Sequence, residues 1–168
     1  VLAQFNMDCI SAKGKRLVLI CDETPFFIKT CFDFFKFSTA NVRKYGHAVV
    51  LISQLSTDMI VGGDSGIIEN SPQRFLFSTD GSMKEYQERF NLTDQHMKTI
   101  GKLMSIPKVL SEVFLQTGSI GKKLRIQITS EEYWKLTTSQ PDQQKIKKLR
   151  QAVPELKLSE ALKCLSLI

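Results

Sequence analysis

The chain has no apolar run longer than five residues; Leu17–Cys21 and Ala48–Ile52 are the longest. A bilayer-crossing helix needs about 20 such residues, so neither a helical span nor a signal-peptide core is encoded here. Its four cysteines, Cys9, Cys21, Cys31 and Cys164, include no C-x-x-C pair, and its two histidines, His47 and His96, lie far from them in sequence. Neither a zinc centre nor a disulfide framework is suggested, and buried free thiols in a reducing cytosol are the simpler expectation. A phosphate-cradling loop is also missing. That loop needs G-x-x-x-x-G-K-[ST], whose backbone amides and lysine hold the phosphates. Gly14-Lys15 is followed by Arg16 and has Cys9 in place of the first glycine, whereas Gly121-Lys122 is followed by Lys123 and has Gln116 there.

What is present is 168 residues, 42% hydrophobic and 24% charged, enough for one domain with a real core and too short for two. The first residue is Val1 rather than Met, which suggests a piece cut from something longer. The net charge is +6, from 23 basic and 17 acidic side chains, and half of the excess sits in the basic tail over 141–168. The run from Lys145 to Arg150, with Lys157 and Lys163, makes nucleic-acid contact possible; a solvated helix face explains the same charges, because few aromatics interleave them.

Patterning divides the chain into strands and helices. Arg16–Glu23 is a β-branched-rich run expected to be a strand buried on both faces. From Pro25 to Lys44, Phe27, Ile28, Cys31, Phe32, Phe34, Phe35 and Val42 recur at three- and four-residue steps, predicting an interrupted helix that exits at Gly46. Ala48–Gln54 repeats the first strand, so the three segments read as a right-handed βαβ unit. Residues 56–70 are glycine-rich and loop-like, with a short helix around Ile67 and Ile68. Arg74–Ser78 reads as a strand, and Ser82-x-x-Glu85 as a capping box opening a short helix. A helix from Thr93 puts Met97, Ile100, Leu103 and Met104 on one face. Val113–Gln116 and Leu124–Ile128 read as a hairpin around Thr117–Lys123. Thr129-x-x-Glu132 is a second capping box, with Trp134 a core anchor behind it, and two further helices follow Pro141.

An apolar strand ending in Asp22-Glu23 is the pattern of a Walker B element. It carries acids to the carboxyl edge of a parallel sheet, where nucleotide phosphates sit. Asp22 would hold a hydrated Mg2+ and Glu23 would orient and deprotonate the attacking water. A solvated strand end gives the same pattern. Gln54 ends the next strand and so is expected at the same edge, where a neutral amide can bond the γ-phosphate or the water without competing for metal. Arg43 and Lys44 sit at the end of the crossover helix, where favourable dipole charge accounts for them without a ligand.

Leu17–Glu23, Val42–Gln54 and Ile68–Phe77, in that order, resemble the C-terminal part of the TraC-like conjugative ATPases of bacterial type IV secretion systems, and Ile128–Trp134 with Thr137–Ser139 is similar to that family's closing region. The resemblance implies an α/β fold: a partial RecA-like P-loop NTPase core with parallel strands, plus a β-hairpin and C-terminal helices, all in one domain. It implies catalytic Glu23 and Gln54, and ATP and Mg2+ contacts from Asp22, Arg43, Lys44 and Arg74. It also implies a hexamer at the cytoplasmic face of the inner membrane, working with other secretion components in pilus assembly and substrate transfer. Cys21 and Thr24-Pro25 replace the small and aromatic residues common around the family's acids. With the phosphate loop expected upstream of Val1, an isolated fragment is expected to be inactive. The competing expectation is a non-catalytic interaction module that docks through its basic C-terminal helices.

Overall fold

The computed structural model describes residue 8 and residues 15–78, 83–107, 109–155 and 157–166. Cys9, Ser82 and Leu167 lie outside them, and with Ser82 the first capping box. The described residues form an α/β fold containing a two-stranded parallel sheet, an antiparallel sheet and seven α-helices.

The parallel unit is β1 (Val18–Cys21), α1 (Pro25–Asn41) and β2 (Ala48–Leu51). Val18 lies opposite Ala48 and Cys21 opposite Leu51, which gives the expected strand, helix, strand order. Pro25 occupies the first turn of α1, where a missing N–H costs nothing. The helix breaks geometry at Cys31 (φ −121°, ψ 25°), the expected interruption, and ends at Asn41 rather than Lys44. A 3-10 turn over Val42–Tyr45 follows, and Gly46 then takes φ 74°, a left-handed conformation that glycine adopts without a Cβ penalty.

Burial of these strands on both faces does not hold. Cys21 and Leu51 pack with Ile28, Phe35 and Ile67 beneath α1. Val18, Ile20, Val50 and Ile52 are exposed, Ile20 by 64%. Successive strand residues point to opposite faces, and α1 covers one of them. An apolar run does not reveal whether both faces have a cover. The phenylalanine cluster splits the same way: Phe35 is buried, whereas Phe26, Phe27 and Phe37 face outward.

β3 (Gln73–Leu76) joins the hairpin rather than the parallel pair. It pairs antiparallel with β5 (Leu110–Thr117), as does the two-residue β4 (Ser105–Ile106). β6 (Ile120–Ile126) pairs along the other side of β5. The turn is Gly118-Ser119 alone, with Gly118 at φ 58°, so β5 extends beyond the expected segment at both ends, whereas β6 starts at Ile120 rather than Leu124 and stops at Ile126 rather than Ile128. α2 (Gly66–Glu69), α3 (Met83–Phe90) and α4 (Asp94–Ile100) carry the covering side chains. Ile68, Phe90, Leu92, Met97, Ile100 and Leu103 bury Phe114 and Leu76. Met104 does not join this face and is 51% exposed, because α4 stops at Ile100.

Glu112 is the buried charge of this layer. Its carboxylate accepts from Lys123 Nζ at 3.0 Å and from the Met104 amide at 3.1 Å, with Arg125 at 3.6 Å. The Lys123 hydrogen bond holds its pKa below the usual glutamate range, against the opposing effect of burial. A carboxyl lowered in the folded state stabilises above its unfolded pKa, and that stability is lost as pH falls through the folded value. The melting temperature should therefore fall on acidification below about pH 4.5, and less steeply in Glu112→Gln, which starts lower at neutral pH because Lys123 and Arg125 lose their partner. Parallel acid limbs in the two proteins would remove Glu112 from this account.

The C-terminal helices are α5 (Ser130–Leu136), α6 (Gln140–Ala152) and α7 (Leu158–Ser166). The Thr129 capping box forms as expected: Thr129 Oγ1 accepts from the Glu132 amide at 3.2 Å, and Glu132 accepts from the Thr129 amide at 2.8 Å. Ile146, Leu162 and Leu165 make a small core with Trp134 and Leu149 against it, so the tryptophan is an anchor. Of the thiols, Cys21 and Cys31 are half-buried and Cys164 is exposed, so burial does not extend to all of them. No described helix is long and apolar enough to cross a membrane.

Candidate functional site

Backbone pairing fixes where the two acids and the amide emerge. The Ile52 amide donates to Cys21 O at 2.9 Å, and the Thr24 amide donates to Ile52 O at 3.0 Å. Asp22 and Glu23 are thus bracketed between two residues paired to the end of β2, and Gln54 follows two residues after Ile52. All three lie at the carboxyl rim of a parallel pair, and all three are exposed.

The turn carrying the acids is held firmly. Thr24 is fully buried, and its hydroxyl donates to Cys21 O at 3.0 Å. Asp22 Oδ1 accepts from the Glu23 amide at 2.9 Å. Glu23 itself sits at φ 50°, a left-handed conformation that costs a residue with a Cβ about 1–3 kcal/mol. Such a cost persists where the surroundings over-determine it, as the Thr24 anchors do here.

The donor set suits a hard cation. Asp22 offers oxygen ligands of the kind Mg2+ prefers, and one carboxylate with retained waters is the usual Mg2+ arrangement. Among the described residues no group of three or more His, Cys, Asp or Glu could cage a metal. Asp22 is the residue that would hold hydrated Mg2+, and Glu23 the exposed carboxylate beside it.

The basic candidates lie elsewhere. Arg43 and Lys44 precede β2, at the amino edge where the Ala48 amide donates to Leu17 O. Four paired residues at about 3.3 Å each separate that edge from the acids by roughly 13 Å. Both are exposed, and Lys44 Nζ donates to Asn41 Oδ1 at 3.0 Å. Arg74 is committed inside the second layer. Its guanidinium donates to Ile68 O at 2.8 Å, Gln116 Oε1 at 3.2 Å and Phe90 O at 3.4 Å, and lies 5.9 Å from the Phe90 ring centre. Burial pulls its pKa down. His47 is buried, with Nδ1 accepting from the Leu17 amide at 3.1 Å, consistent with a structural part.

One residue at the rim is not evident from the sequence patterning. Asp58, in the 3-10 turn Ser56–Met59, accepts from Ser53 Oγ at 2.6 Å and from the Leu55 amide at 3.1 Å, both with Oδ2. One carboxylate oxygen therefore holds the residues on either side of Gln54. The spacing Ser53-x-x-x-x-Asp58 is in the sequence, but it runs into a stretch that reads as glycine-rich and loop-like.

An α/β chain with acids at a parallel rim is what a nucleotide-binding domain would show. The family model of the TraG P-loop domain matches residues 2–166. The chain belongs to this family. A comparison with curated proteins finds no match. As a TraG P-loop domain, the chain is related to conjugation P-loop NTPases, a class that binds nucleotide and Mg2+. Its fold is consistent with a partial P-loop NTPase.

Proposed function

We propose that this TraG P-loop domain chain is the C-terminal part of a TraC-like type IV secretion ATPase, coupling ATP hydrolysis to pilus assembly and substrate transfer. The observation that carries the reading is the common rim of Asp22, Glu23 and Gln54, with Glu23 held in a costly backbone conformation. Asp22 binds hydrated Mg2+, Glu23 takes the proton of the attacking water, and Gln54 orients that water or the γ-phosphate. Bound ATP supplies the phosphoanhydride whose cleavage drives the cycle. The working form is a homohexamer at the cytoplasmic face of the inner membrane, alongside other secretion components. Arg43 and Lys44, at the far edge, can serve nucleotide from the neighbouring subunit of such a ring. Arg74 supports the layer behind the site rather than the nucleotide.

The reading is tested in the full-length native protein. Asp22→Asn should raise the Mg2+ concentration for half-maximal ATP turnover by about 10–100-fold. An unchanged Mg2+ requirement removes Asp22 from metal binding. A second reading, a non-catalytic interaction module, draws support from the positions of Arg43 and Lys44, at the edge opposite the acids, and of Arg74, committed within the second layer.

A further inference from the structure

A sensing glutamine works only if its amide is held where the water or phosphate will be. Gln54 lies on an exposed segment after β2, outside the strand ladder, and the local tie across it, Ser53 Oγ to Leu55 O at 2.9 Å, draws on the one hydroxyl proton that Asp58 takes at the shorter distance, so the segment needs a hold from elsewhere. Asp58 supplies it. Its Oδ2 takes the Ser53 hydroxyl at 2.6 Å and the Leu55 amide at 3.1 Å, spanning Gln54 like a staple. The turn that carries Asp58 is fixed independently: Arg89 Nη1 of α3 donates to Ser56 Oγ, and Met59 packs against the cores of both sheets.

We propose that Asp58 is the positioning residue for Gln54, acting through the backbone of Ser53–Leu55 and making no contact with nucleotide. The inference rests on the reading of Gln54 as the sensor. An aspartate suits the task because one carboxylate oxygen can accept from two donors at once, and an ionised acceptor binds them more strongly than a neutral one. Because Arg89 and Met59 hold the turn from the other side, losing the carboxylate loosens Gln54 without dismantling the turn.

The test is a double-mutant cycle on ATP turnover in the full-length native protein, with Gln54→Ala, Asp58→Ala, the double variant and Asp58→Asn. Asp58→Ala should lower kcat by about 10–100-fold, the scale on which a displacement near 1 Å acts, with KM for ATP nearly unchanged. The double variant should be no slower than Gln54→Ala, because a residue acting only through Gln54 has nothing left to position. Asp58→Asn keeps an oxygen acceptor and should recover most of the loss. If Gln54→Ala turns over like the wild type, the sensor reading fails and this inference fails with it. If Gln54→Ala is slow but the two effects multiply, Gln54 stands and Asp58 is not its positioning residue. A loss in Asp58→Ala that tracks a collapsed melting temperature likewise overturns the inference, leaving Asp58 a folding residue.

Discussion

Replacing Glu23 by Gln in the full-length native protein should lower ATP turnover by about 10²–10⁴-fold, the usual worth of a positioned general base, with nucleotide affinity left within a few-fold. The substitution keeps the shape and removes the proton acceptor. It also leaves the backbone cost unchanged, because Glu and Gln both carry a Cβ at φ 50°. Folding therefore does not confound the measurement, and single-turnover kinetics with a nucleotide-binding isotherm separate chemistry from binding. Undiminished hydrolysis would take Glu23 out of the base role and move weight to the interaction-module reading.

Gly121→Ala should destabilise the antiparallel layer by about 1–3 kcal/mol, the cost of forcing a methyl into a packed core. A Cβ on Gly121 would lie 2.0 Å from Phe114 Cζ and 2.8 Å from two further ring carbons. Phe114 has no room to retreat: it is 1% exposed and packed among Leu76, Phe90, Met97 and Ile100. For a chain of this length each kcal/mol lowers the melting temperature by roughly 2–4 °C. The cause is checked with Phe114→Leu, which removes the colliding ring atoms. The double variant should be more stable than the sum of the single costs, and strict additivity would place the damage elsewhere.

The parallel unit was legible because its signals are local: a β-branched run, a proline at a helix start, a glycine at its exit, then a second run. The same local signals could not report cover. Whether Ile20 and Val50 meet a neighbour depends on elements distant in sequence, and in the structure both are exposed. The rim was legible for a similar reason, since two parallel strands of equal length must release their C-terminal residues at one edge. That logic also predicts the separation of Arg43 and Lys44, because a crossover helix returns the chain to the opposite edge. Arg74 was harder to read. An arginine in a short strand looks the same whether it faces solvent or, as here, donates to Ile68 and Phe90 carbonyls across the layer. The role of Asp58 is not legible in the sequence because its partners, a hydroxyl and a backbone amide, leave no periodic mark.

Met59 belongs to the margins of both hydrophobic clusters, one beneath the parallel strands and one beneath the antiparallel sheet. Melting either cluster strips a wall from the other. The two sheets are thereby bound into one cooperative unit, and neither should survive as a stable intermediate when the other is lost.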